Sequence, residues 1–382
     1  MKIRTITTGL PLKSAEDFEK IHSAAEFNRK AGALFEQAGY EIQSTRLATN
    51  SWEQYLTGST GEEILRDVRT IEDLCLDLKV DFFNLGYAGS AETIRHCAEI
   101  IKHTSVVSCS AKMGDAQNGI NAGNVEASAE VIQRISQETD GGMGNFRFCA
   151  WAGCQPGIPF FPAAYHEGET SFSIGLESGD LMMRAFSESK NLYEAEQNLK
   201  SLVEEELKKI QEVAQQVSVE HHVRFRGIDA SLAPSLMEEE SIAFAYEKLL
   251  SGKFGDPGTL AISAVVTGVL KNLSVKTCGY SGLMLPVCED FGLAKRASEG
   301  TFNLTNLLLY SAVCGCGLDV APLPGDIAVD KIEGILLEVA TLAVTLNKPL
   351  SARLLPAPGK KAGEMTAFDS PYLVNCRVFH VG

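Results

Sequence analysis

Apolar residues recur every three to four positions over 61–78, through Ile64, Val68, Ile71, Leu74 and Leu78, and predict an amphipathic helix. Runs at 41–49 and 81–85 on either side of it predict strands. The same rhythm continues with a helix over 90–102, a strand over 105–109, a helix over 124–139 and a strand over 146–150. Upstream, Ser14 and Asp17 read as a capping signal for a helix that closes at Gly39, where glycine tolerates the left-handed cap. Strands alternating with helices predict a parallel α/β architecture, because parallel neighbours need crossover connections.

The middle of the chain breaks the rhythm. Pro156, Pro159 and Pro162 surround Phe160 and Phe161, which excludes helix interior from 155–164. A strand over 170–176, a long polar helix over 191–216 and a strand over 223–229 follow. Helices over 238–250 and 258–273 bracket a turn at 254–257. A final helix over 327–347 leads to a strand over 350–356. No repeat, low-complexity tract or linker interrupts 1–382, so one large domain is expected.

Composition narrows the function classes. Hydrophobic residues at 45% and charged residues at 22% are globular proportions and exclude a disordered chain. The net charge of −15, with Lys and Arg dispersed, gives no footprint for nucleic acid or an anionic membrane. The most apolar stretch, 260–270, is too short for a bilayer span. No apolar signal segment follows Met1, and ten cysteines spread over the chain read as reduced thiols, so a cytoplasmic location is expected.

Candidate chemistry gathers where glycine and proline mark element ends. Cys314, Cys316, Asp319 and Asp326 fall in one Gly- and Pro-rich stretch. A thiol beside carboxylates is a candidate nucleophile or proton donor, and equally a small buried hydrophobe. Asp326 before an apolar helix also reads as an N-cap. His166 follows the Pro-rich loop, with a histidine's acid–base capacity or a mere surface position. Asp229 and Ser231 end a strand, where α/β sheets bind ligands, though a polar turn explains them as well. Glu289 and Asp290 are site acids or the negative first turn of a helix. Asn121 lies in an Asn/Gly run that exposes amides to an anion or simply turns the chain. Cys314-Gly315-Cys316 lacks the second ligand pair of structural zinc, and His221 and His222 would point apart on a strand, so no metal site is expected. No dinucleotide fingerprint, Walker loop or serine elbow occurs, and no cofactor is implied.

The segments GYSGLMLPVCED at 279–290 and CGCGLDVAPLPGD at 314–326 resemble the domain of unknown function 711 family. GIDASLAP at 227–234 and KPLSARLLPAPGK at 348–360 extend the resemblance. It implies an α/β barrel like that of the glycyl-radical enzymes of the pyruvate formate-lyase class, and little about activity. The radical chemistry needs a glycine near the C-terminus, and His380 stands there in Arg377-Val378-Phe379-His380. No glycyl radical is therefore expected.

The reading is a non-radical enzyme acting on a small polar metabolite. Cys314, Cys316, His166, Glu289 and Asp319 form the candidate catalytic set. Asp229, Ser231, Arg353, Asn121 and Asp326 form the binding set, with Arg353 as an anion clamp. The alternatives are a metabolite-binding or scaffold protein without catalysis, and a metal-dependent hydrolase or lyase. The expected partner is a small molecule, with neither nucleic acid nor membrane, and a homo-oligomer stays open.

Overall fold

The computed structural model describes residues 1–58 and 60–381. Ten strands carry the fold: β1 Lys2–Leu10, β2 Thr45–Thr49, β3 Phe82–Ala88, β4 Val107–Asp115, β5 Gly119–Ile120, β6 Phe148–Ala152, β7 Ser171–Glu177, β8 Arg224–Asp229, β9 Gly317–Pro324 and β10 Leu350–Ala357. Their order across one sheet is β8-β7-β1-β2-β3-β4-β6-β10-β9, with β5 hanging off β4.

Strand direction divides the sheet into two halves. β1, β2, β3, β4 and β6 are mutually parallel. β7 runs parallel to β8, and β9 to β10, while the seams β1/β7 and β6/β10 are antiparallel. The free edges, β8 and β9, are joined by the extended segment 277–286. It bridges Ile228 through Thr277, Leu232 through Leu283, and Asp319 through Pro286, always in parallel. The sheet therefore closes into a barrel of two five-stave parallel halves, as the resemblance implies.

Closure demands close backbone approach. Gly227 has φ 149°, and a Cβ there would lie 2.8 Å from the Thr277 carbonyl carbon. Only glycine lets the closing segment reach β8.

Helices cover the outside of the barrel. Helix Phe18–Gln37 buries Ile21, Ala24, Ala25, Asn28, Ala31 and Phe35, the stripe of a 3.6-residue period. Helix Gly61–Asp77 starts with a capping box of Thr60 and Glu63 and buries Ile64, Val68, Ile71 and Cys75. Strands β6, β7 and β10 are buried along their whole length, because helices lie outside them and side chains fill the interior.

Several expectations need correction. β1 and β9 are strands that the pattern did not single out. The strand expected over 41–49 is regular only from Thr45, with Ile42 bridging Ile3. The long helix continues to His221, and His222 is its left-handed cap, so the histidine pair ends a helix rather than sitting on a strand. The helix expected over 238–250 reduces to a 3₁₀ turn at Glu238–Glu240 and a short helix at Ile242–Tyr246.

The loop 153–170 joins the two halves and enters the barrel. Gly157 N–H donates to the Tyr165 carbonyl (2.7 Å), and Asn84 donates to the Pro162 carbonyl (2.7 Å). Tyr165 donates to the Cys154 carbonyl (2.9 Å), and Arg226 to that of Pro156 (2.8 Å). Its prolines make a stiff hairpin, pinned to both halves, that brings Pro159, Phe160 and Phe161 to the wall of an internal chamber.

Candidate active site in the barrel

The chamber, of about 90 Å³, lies where the two halves face each other inside the barrel. It shares Arg4, Arg46, Phe82, Phe146 and Glu289 with an outer vestibule of about 430 Å³. The inner space accommodates several waters or one small metabolite.

Alternation along β10 turns Ser351 and Arg353 inward, between outward Leu350, Ala352 and Leu354. Arg353 Nε donates to Asp319 Oδ1 (2.7 Å) and Nη2 to Glu289 Oε1 (2.7 Å). The guanidinium also lies over Phe146, 4.7 Å from the ring centroid, and over Phe160, 5.4 Å away. Arg4 reaches the second oxygen of Glu289 (3.2 Å).

Asp319 is aimed inward at a local irregularity. The β9/β10 register shifts between Ala352 and Leu354, and the next residue, Val320, has φ 41°. A β-branched residue in the left-handed region costs on the order of 1–3 kcal/mol and persists only where the surroundings enforce it.

One guanidinium thus contacts two acids whose pKa values shift in opposite directions. Burial raises the Asp319 carboxyl; Arg353 opposes it, Glu289 adds to it, and the net direction is up. Burial also acts upward on Glu289, but Arg353 and then Arg4 outweigh it, and that carboxyl is held low. Burial lowers Arg353, yet Asp319 and Glu289 reverse the direction and fix its charge. Two carboxyls driven apart by their environments are the arrangement that separates an acid from a base. Asp319 Oδ2 has no protein hydrogen bond among the described residues.

Asp229 and Ser231 line the same chamber but are already engaged. Asp229 accepts from Ser231 Oγ (2.6 Å), Ser281 N (2.9 Å), Ser231 N (3.1 Å) and Tyr280 N (3.1 Å). It anchors the closing segment to the end of β8. Asp290 is the N-cap of helix Phe291–Glu299, so the adjacent acids divide into one site group and one cap.

The structure therefore brings Glu289, Asp319, Asp229, Ser231 and Arg353 together around one chamber. The thiols of Cys314 and Cys316 are buried apart from it. Cys314 Sγ accepts from Gly317 N (3.4 Å), and Cys316 packs with Cys149, Cys154, Trp151 and Tyr280. The Cys316 thiol's hydrogen bond pulls Cys314 down to about 6; burial opposes this and Lys348 assists it. Cys316 is pushed up correspondingly. Asn121 caps helix Ala122–Glu138 on the outer surface, its Oδ1 accepting from Asn124 N (3.1 Å). Asp326 is exposed and caps nothing, since the N-cap of helix Val329–Thr345 is Ala328.

His166 is fully buried in a separate niche of about 10 Å³. Its Nε2 faces the carbonyls of Glu169 (2.9 Å) and Gly168 (3.2 Å), which places the proton on Nε2, while Nδ1 has no partner. Burial pulls its pKa below the ordinary value of 6.5, so the ring is neutral in the folded chain. The unfolded chain binds the extra proton first, and stability falls as pH drops below about 6.5 toward the folded value. Urea titrations from pH 7.5 to 5 are expected to show this loss, and His166→Gln to flatten it. An unchanged pH slope in the variant overturns the assignment.

Arg4, Arg46 and Arg147 are chamber residues that the pattern did not single out. Lone arginines in short strands read as solvent-facing. The available signal was a charge flanked by β-branched and apolar residues, as at Thr45-Arg46-Leu47.

Fold and site together define a closed α/β barrel with a polar, metabolite-sized chamber lined by paired acids and arginines. Residues 1–369 match the family described as Uncharacterised ACR (DUF711), and the chain belongs to it. Similar proteins include the UPF0210 proteins of Leuconostoc mesenteroides, at 26% identity over 399 residues, and of Lactiplantibacillus plantarum, at 28% over 402. Each alignment spans 96% of this chain and 88% of the relative. Among solved structures, the anaerobic ribonucleotide reductase from Thermotoga maritima in complex with dATP and CTP is similar at 9% identity and a TM-score of 0.44, over 92% of this chain and 75% of that one. No helix among the described residues is long and apolar enough to cross a membrane, and no group of three or more His, Cys, Asp or Glu among them is placed to hold a metal ion.

Proposed function

We propose that the protein is a non-radical enzyme that performs acid–base chemistry on a small polar metabolite held in the barrel chamber. The observation that carries this reading is the Asp319–Arg353–Glu289 arrangement. It sets a carboxyl raised by burial and one held low by two arginines on the wall of the same enclosed space. Asp319 is the proton-carrying group, and Glu289 stays ionised and fixes Arg353. His380, where a radical glycine would stand, supports chemistry without a radical. Ten free cysteines support a reducing, cytoplasmic setting.

Mass spectrometry of small molecules that co-purify with the native chain supplies the candidate metabolite. Asp319→Asn keeps the shape and the hydrogen bond to Arg353 but cannot exchange a proton. It is expected to lower turnover of that metabolite about 10²–10⁴-fold, with affinity changed far less. Turnover that survives the substitution rejects Asp319 as the acid–base group. A bound metabolite that the native chain never converts leaves a binding protein without catalysis.

A further inference from the structure

We infer that the chamber's ligand carries a carboxylate and that Arg46 is the residue that grips it; this rests on the chamber being the functional site. Four arginines and three carboxyl groups line the chamber, so positive charge is in excess there within a chain of net charge −15. Three of the arginines are committed. Arg353 bridges Asp319 and Glu289, and Arg4 holds Glu289. Arg147 is spent on the carbonyls of Ile101, Thr104 and Val107.

Arg46 has no acid partner. Its Nε donates to Ser44 Oγ (3.0 Å), and neither terminal nitrogen has a protein acceptor among the described residues. The side chain is nonetheless fixed. Its guanidinium sits 5.2 Å from the Phe82 ring centroid and 5.1 Å from that of Phe161. Asn28 holds its backbone carbonyl (3.0 Å) and accepts from Thr8 in β1 (2.6 Å). Burial is the largest pull downward on its pKa; the charges of Arg4 and Arg353 add to it, Glu289 and Asp81 oppose it, and the net direction is down.

A rigid guanidinium with two free donors matches the two oxygens of a carboxylate. Arg46 lines both chamber and vestibule, so it marks the throat between them. A ligand held there projects its carbon skeleton inward, against Phe160 and Pro159 and toward Asp319. The small inner volume favours a short carboxylate over a phosphate ester, whose headgroup is bulkier and carries nearly two charges.

The test titrates the full-length chain at constant ionic strength with acetate and butyrate, with acetamide and butyramide, and with inorganic phosphate. Thermal stabilisation and calorimetry provide the readouts. Acids are expected to bind in the millimolar range and their amides at least tenfold more weakly. Arg46→Gln should abolish that preference, while Arg46→Lys, which keeps the charge, should retain part of it and confirm that the site stays folded. Equal binding of acid and amide, unchanged acid binding in Arg46→Gln, or phosphate binding more tightly than either acid overturns the inference. Carboxylates that bind through Arg46 while Asp319→Asn keeps full turnover would reject the acid–base reading and leave the ligand class standing.

Discussion

Arg353→Met is expected to cost about 3–5 kcal/mol of folding stability, because it strands two buried carboxylates. Glu289 and Asp319 each receive a 2.7 Å hydrogen bond from this one side chain, and all three groups are at most 5% exposed. The remaining cation in contact, Arg4, touches only Glu289, at 3.2 Å. Methionine fills most of the volume and stacks on Phe146 and Phe160, so the loss is electrostatic rather than steric. The pH dependence identifies it. Without Arg353, burial holds both carboxyls above their unfolded values. The folded variant then binds more protons than the unfolded chain, and its deficit against the native protein shrinks as pH falls toward 4. Arg353→Lys should recover only part of the loss, since an ammonium cannot serve both acids in the planar geometry of the fork. Urea unfolding at pH 7.5 and pH 5 measures both effects. A Met variant within about 1 kcal/mol of the native protein would show the triad to be no more than a surface-grade ion pair.

The same triad shows which parts of the site the chain discloses before folding. Asp229, Glu289 and Asp319 lie within three residues of glycine or proline near element ends, which in a barrel face the cavity, whereas Arg353 is turned inward by alternation in the middle of β10. Their convergence follows from topology. Arg46 and Arg4 gave no such mark, because a lone charge in a strand has the same local pattern whether it points at solvent or into a barrel. The thiols misdirected in the opposite sense. Cys314 and Cys316 stand beside site residues in the chain, yet both are buried at a backbone crossing away from the chamber lining.

The fold divides along similar physical lines. Helices such as Gly61–Asp77 stand out because one face is buried and the other wet. β1 lacks that contrast, since it lies at a seam with neighbours on both sides and is buried on both faces from Thr5 onward. β9 hides behind Pro322 and Pro324, which argue against a central strand. It tolerates them because its second neighbour is the closing segment, which pairs with it only at Asp319. The Pro-rich stretch left His166 either available for acid–base chemistry or at the surface. Loop 153–170 plugs the barrel instead, and His166 is spent on fixing the loop's own carbonyls.

Closure of the barrel should be most sensitive at Gly315, where Ala is expected to cost about 3 kcal/mol, the upper end for overpacking. A Cβ on Gly315 would lie 2.7 Å from the Gly282 Cα, and one on Gly282 would lie 2.5 Å from the Gly315 Cα. Both obstacles are backbone, so no rotamer change relieves them, and neither glycine needs a left-handed φ. The requirement is space alone. Gly315 N–H donates to the Leu283 carbonyl at this crossing (2.7 Å), so separating the chains also loosens the segment that ends at Glu289. Gly282→Ala should cost a similar amount. The double variant should cost clearly less than the sum, because one separation of the backbones makes room for both methyl groups. Gly268→Ala is the internal control. It lies in helix Thr259–Lys271 with nothing within 4 Å of the added methyl, and should stabilise by about 0.5–1 kcal/mol. Denaturation midpoints of the native protein and the four variants decide the matter. If Gly315→Ala is as stable as Gly268→Ala, or if the crossing pair is strictly additive, the glycine contact does not govern closure.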